Sequence, residues 1–239
     1  MLIIAVSVGA LFFCTIIGFG IYGFIHRGQH LSLDELSKGF SGDALYLVFV
    51  QLAAYLAVVG FMALLSWTRH QLSLPQAISC NTPSRRPALF ALGGGLCLAF
   101  ISDIGNAVLN PWIPKSLPIT ELFKDRPSAF LLAGFAILIA PWVEEMFFRG
   151  FLYPALARYT GALVSILITA GAFTLLHGAQ LGYSWAPLLL IFIVGVALTV
   201  VRAATRSVAV CVIVHMTYNF ILLVETFVAT HGFRQMQGF

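Results

Sequence analysis

Three short segments carry side chains with the types and spacing of a reactive site. The first runs Ala140-Pro-Trp-Val-Glu-Glu-Met-Phe-Phe-Arg-Gly150 and holds two adjacent carboxylates and an arginine. On a helix Glu145 and Arg149 stand four apart, share a face, and follow the order that favours an ion pair. Glu144 points about 100° away, so it is not the natural local partner of Arg149 and is the carboxylate left for chemistry. The bland alternative is a single buried network of both acids and the arginine that only fixes packing. The second segment, Phe173-Thr-Leu-Leu-His177, supplies an imidazole that can take up or release a proton near neutral pH. The third, His215-Met-Thr-Tyr-Asn219, sets an imidazole and a carboxamide on one helix face. Two such groups suit either a developing oxyanion or a hydrogen bond between neighbouring helices.

Together the segments offer a base, a second proton-handling group and two hydrogen-bond donors, the inventory for attack of water on a carbonyl. No Ser or Cys lies in a nucleophile-elbow sequence and there is no HExxH. The reaction class is therefore hydrolysis with no obvious covalent intermediate. Cys14, Cys97 and Cys211 lie in apolar runs and Cys80 in a loop, with no CxxC, so no disulfide or thiolate–metal framework can be read.

The elements that must position these residues are read from composition. The chain of 239 residues is 60% hydrophobic and 9% charged, whereas a soluble domain carries about 25% charge. Lipid is the solvent for most of its surface. The net charge of +4 reads as loop Lys and Arg that orient helices, not as a nucleic-acid surface. Seven apolar runs approach the length of about 20 residues that crosses a bilayer: 2–25, 45–67, 88–109, 129–156, 162–182, 185–201 and 208–228. The runs are continuous, not alternating, which predicts helices over barrel strands. The expected fold is an all-α transmembrane bundle of about seven to eight helices with a buried polar cavity. Residues 1–239 form one integral membrane domain, and 129–229 form its catalytic core. The first 25 residues lack a basic n-region and read as a retained helix.

Loop charges predict topology. Arg69, Arg85 and Arg86 in loop 68–87, Arg158 in turn 157–161, and Arg202 and Arg206 near 202–207 belong on one side. The positive-inside rule makes that side cytoplasmic and puts the N-terminus there with it. Connector 110–128, with Pro111, Pro114, Pro118 and Pro127, is expected to be extended, with at most one short helix. Ser102, Asp103, Asn106 and Asn110 form a polar stripe, either a helix end meeting the interface or the lining of a substrate entrance. Gly93-Gly94-Gly95 and Gly178-x-x-x-Gly182 read as close helix packing.

Ionisable groups within spanning helices cost about 2.5–3.5 kcal/mol each, yet Glu144, Glu145, Arg149, His177 and His215 all lie in the apolar runs. Glu144-Glu145-x-x-x-Arg149, Phe173-x-x-x-His177 and His215-x-x-x-Asn219, in this order on separate hydrophobic segments, resemble the three signature motifs of the CPBP family. That family contains CAAX prenyl proteases and the bacteriocin-processing and immunity proteins of the Abi group. The resemblance covers roughly residues 129–229. It implies an intramembrane endopeptidase in which Glu144 is the general base, His177 its partner, and His215 and Asn219 the oxyanion site. Glu145, Arg149 and Phe173 would then support the site. No cofactor is expected. The alternative is a zinc enzyme with Glu144, His177 and His215 as ligands. Partners are membrane lipid and a peptide or membrane-protein substrate, with no nucleic acid. The competing functions are a non-enzymatic immunity or scaffold protein and a proton-coupled transporter, the latter disfavoured because no paired repeat is visible.

Overall fold

The computed structural model describes residues 2–235, which form helices joined by short turns. Five stretches among them are long and apolar enough to cross a membrane: Ala44–His70, Arg85–Trp112, Arg126–Leu176, Trp185–Thr205 and Val208–Ala229, with Phe12–Ile25 as a shorter apolar helix. The chain divides into two compact units.

One unit comprises residues up to 74 together with 122–132. Its helices are α1 (Leu2–Ile25), α2 (Leu33–Ser41) and α3 (Ala44–His70). The α2 helix is amphipathic and lies in a connector, outside the expected runs. A capping box starts it: Ser32 N donates to Glu35 Oε2 at 2.9 Å and Ser32 Oγ accepts from Glu35 N. The bond from Ser32 N, with a second from Ser32 Oγ to the same Oε2 at 2.7 Å, holds the Glu35 carboxyl below its ordinary range. Phe40 on α2 meets Tyr22 of α1 edge-on at 5.7 Å and shares a core with Val50 of α3. Lys124 Nζ donates to the Gly42 carbonyl at 2.7 Å, tying 122–132 to this unit.

The other unit comprises 75–121 and residues from 133 onward. Around it run α4 (Leu74–Ala77), α5 (Arg85–Leu109), α6 (Pro118–Glu121), α7 (Arg126–Leu138) and α8 (Ala140–Glu145). A π-helix (Met146–Leu152) follows, and then α9 (Tyr153–Leu176), α10 (Trp185–Thr205) and α11 (Val208–Ala229). Leu98, Ala99, Val194, Leu198, Val214 and Tyr218 form the core between α5, α10 and α11. Gly95 is the point of closest approach, since a Cβ there would stand 2.6 Å from the Val214 carbonyl. Gly195 likewise brings α10 against Ala170 of α9. The packing expected of the triple glycine thus rests on Gly95.

The 51-residue stretch Arg126–Leu176 would extend about 76 Å as one straight helix, far beyond a hydrocarbon core of about 30 Å. It breaks at Gly161, whose φ of 75° and ψ of 174° are essentially confined to glycine. The Phe148 and Phe173 rings then meet at 5.2 Å, so the chain has reversed where turn 157–161 is expected. The sequence boundary at 182 is too late. Helix α9 stops at Leu176, Gly182 has φ 58°, and Gly178 faces the Tyr183 ring. These two glycines serve a turn and not a helix seam.

Connectors gather at the two ends of this unit. At one end Val208 N donates to the Ser79 carbonyl at 3.2 Å, and Ile78 is buried against Gly150 and Val208. At the other, Ile119 N donates to the Gln180 carbonyl at 2.9 Å. The 110–128 connector carries a short 3-10 turn at Asn110–Trp112 as well as α6.

Candidate active site

The site grows outward from Arg149, whose side chain is fully buried. Nη1 donates to Glu145 Oε1 at 2.8 Å, Nη2 to the Gly195 carbonyl at 2.9 Å and Nε to Thr199 Oγ1 at 3.3 Å. Its guanidinium also lies 4.8 Å from the Phe173 ring centroid, a cation–π contact. Glu145, equally buried, accepts a second bond from His215 Nδ1 at 2.8 Å. Glu145 Oε2 is buried without a hydrogen-bond partner among the described residues, an unmet acceptor where buried polar atoms are normally satisfied.

His215 stands between the two glutamates. Its Nε2 is 4.0 Å from Glu144 Oε2, and the Glu144 side chain keeps 18% of its exposure. A carboxylate only accepts, so Nδ1 carries the proton donated to Glu145, and in the neutral ring Nε2 holds a lone pair toward Glu144. His177 caps the end of α9, with Nδ1 donating to the Phe173 carbonyl at 2.8 Å. Its ring lies 4.6 Å from Phe173, and that phenyl ring also meets His215 at 6.0 Å. Phe173 is thus the contact shared by Arg149, His177 and His215. The backbone bond of His177 is not by itself a mark of function, because His26 makes the same 2.8 Å bond to Tyr22.

Asn219 Nδ2 donates to the Ala136 carbonyl at 2.7 Å and so clasps α11 to α7, leaving its second N–H. Among the described residues no three His, Cys, Asp or Glu side chains gather into a group able to hold a metal ion.

Local winding explains why these groups point inward. A continuous α-helix was the expectation from 129 to 156, yet residues 146–152 wind as a π-helix. Pro154 accounts for this, since its ring clashes with the carbonyl four residues back and it has no N–H. Tyr153 N consequently bonds the Phe148 carbonyl five residues back. The Arg149 carbonyl, whose wide-turn partner would be the missing N–H of Pro154, accepts Arg202 Nε at 2.9 Å. Such wide turns are frequent at functional sites. In the sequence Arg202 reads only as a loop charge. Its burial was not legible because α10 runs to Thr205, beyond the apolar run.

The polar stripe on α5 faces α11. Ser102 hydrogen-bonds Tyr218, and Asp103 meets Glu225. Glu225 belongs to none of the three motifs, and its only sequence signal is an acid inside the apolar run 208–228.

Fold and site define a class: a helical membrane protein that buries a carboxylate–arginine–imidazole network beside a second, partly exposed carboxylate. Residues 126–221 match the family model for Rce1-like, type II CAAX prenyl endopeptidase Rce1-like proteins. The matched segment contains all three motifs. It is consistent with the CPBP family of intramembrane proteases and supports, in general terms, a CAAX-type intramembrane endopeptidase. No curated protein and no solved structure matches the chain.

Proposed function

We propose that this protein hydrolyses a peptide bond at the membrane with a water activated jointly by Glu144 and His215. The observation that carries this reading is the 4.0 Å separation of Glu144 Oε2 and His215 Nε2. One water spans such a gap with two ordinary hydrogen bonds of about 2.8 Å. It donates one proton to the carboxylate and the other to the imidazole lone pair. Its own lone pair then faces the substrate carbonyl. Glu145 fixes the ring of His215 in the required tautomer, and Arg149 fixes Glu145.

Attack of that water forms a tetrahedral oxyanion as its proton passes to Glu144. The free N–H of Asn219 is the donor assigned to the oxyanion. His177, whose Nδ1 is engaged by the Phe173 carbonyl, keeps Nε2 for proton handling and assists Glu144. Protonated Glu144 then delivers the proton to the leaving amine. No step is routed through a metal ion. The substrate class is a peptide or membrane protein that reaches the site from the bilayer.

The test is turnover of a quenched-fluorescence CAAX peptide, prenylated and unprenylated, by purified protein in bilayer discs. Cleavage by wild type and loss in Glu144→Gln supports the reading. Equal cleavage by both refutes the assignment of the base. If the variant still binds the peptide, the chemical step and not docking has been lost. A peptide held by wild type but never cut favours the non-enzymatic alternative.

A further inference from the structure

A second concentration of charge lies outside the proposed chemistry. A cavity of about 390 Å³ is lined by Arg158, Arg202 and Arg206, with Tyr153, Pro154 and two alanines completing its wall. Three guanidinium groups and no carboxylate share this space. Among the described residues none of the three takes part in an ion pair. Arginines that only orient a chain need to do no more than face water. Arg202 is different: it is 8% exposed and its Nε is fixed on the Arg149 carbonyl. Like charges gathered around one cavity repel, and an anion that accepts from several forks at once relieves that repulsion.

The position of the cavity identifies the kind of anion. Arg158 lies three residues before the break at Gly161, and Arg206 is the left-handed cap of α10 with φ 56°. The cavity therefore sits where helices leave the membrane, at headgroup depth. Tyr159 beside it is 89% exposed, and Leu163, just past the break at Gly161, is 71% exposed. That sequence of polar cavity, interfacial aromatic and apolar helix face is how a lipid is laid out, with headgroup, glycerol and acyl chain in turn.

We propose that this cavity binds the phosphodiester headgroup of an anionic phospholipid. This proposal is independent of the peptidase reading. The bound headgroup would also steady Arg202 and, through it, the Arg149 carbonyl freed at the π-helix. The experiment is native mass spectrometry of the detergent-purified full chain. It is titrated with phosphatidylglycerol, with phosphatidylcholine of the same acyl chains, and with inorganic phosphate as competitor. The variants are Arg158→Gln, Arg158→Gln/Arg206→Gln, and the charge-keeping Arg158→Lys/Arg206→Lys. Wild type is expected to prefer phosphatidylglycerol. Each arginine removed weakens that binding about fivefold, and the pair about thirtyfold, while the lysine variant keeps most of it. Should the double glutamine variant fail to fold, Arg158→Gln alone carries the test, because that side chain is exposed. Unchanged phosphatidylglycerol affinity in these variants, or equal affinity for phosphatidylcholine, overturns the proposal. Displacement of the lipid by inorganic phosphate at comparable concentration assigns the cavity to a free phosphate and overturns its lipid identity.

Discussion

Glu144 and Glu145 are adjacent in sequence and opposite in circumstance. Glu145 is wholly buried and accepts from Arg149 and His215, whereas Glu144 keeps part of its exposure and faces the other nitrogen of His215. The 145–149 pairing was legible because i,i+4 spacing fixes it within one turn. The bond from His215 to Glu145 was not, because it spans 70 residues and no local spacing encodes it. A general base typically contributes about 10²–10⁴-fold, so Glu144→Gln is expected to lose at least about a hundredfold in kcat with its melting temperature retained. His177→Ala is expected to be similarly inactive, and normal turnover by either purified variant removes that residue from the mechanism. Glu145→Ala or Arg149→Ala leaves a buried charge uncompensated, at a cost of about 3–5 kcal/mol. Both are expected to melt well below wild type in detergent, and wild-type melting in either would mean the pair is not structural. Because the carboxamide of Asn219 beside His215 suits an oxyanion better than a zinc ion, activity is expected to survive prolonged chelation. One zinc per active chain by elemental analysis, with activity lost on its removal and restored by readdition, would replace the metal-free route.

Helices were legible wherever apolar residues ran unbroken, and their ends were not where glycine or proline decided them. Pro154 converts the middle of an apparently continuous run into a wide turn, and Gly161 converts its end into a reversal. Hydrophobicity alone cannot distinguish either from an ordinary helical residue. The conformation of Gly161 gives a sharp contrast. An alanine at φ 75° and ψ 174° is expected to cost about 1–3 kcal/mol, although no atom stands within 4 Å of its new Cβ. Gly134, inside α7, has equally open surroundings and ordinary helical backbone. Gly134→Ala is therefore expected to be neutral or stabilising by up to about 1 kcal/mol. Thermal melts of the two variants in one detergent measure the difference directly. Equal melting temperatures would mean that the break at Gly161 does not hold the hairpin.

At the scale of the whole molecule the remaining question is which face of the membrane each end occupies. The segments bearing Asn81, Arg158 and Arg206 belong to one end of the second unit. Ser207 Oγ donates to the Asn81 carbonyl at 3.5 Å, and Arg158 and Arg206 line one cavity. This end of the second unit thus gathers Arg158, Arg202 and Arg206, and by positive-inside bias it is expected to face the cytoplasm. The loop charges carry the expectation that the chain crosses once before Asp34 and returns before Arg86. Arg86→Cys and Arg158→Cys are therefore expected to react from the cytoplasmic face with an impermeant maleimide, and Asp34→Cys from the opposite face. The background must lack native cysteines, although Cys80 would react slowly, since burial pushes its thiol above the ordinary range. Labelling of Arg86→Cys and Arg158→Cys from opposite faces would mean that α5 or the stretch from α7 to the π-helix does not cross. Labelling of Asp34→Cys from the same face as Arg86→Cys would mean that α3 does not cross. Agreement of all three would fix the arginine cavity in the leaflet where anionic headgroups meet the cytoplasm, and with it the direction from which such a lipid approaches.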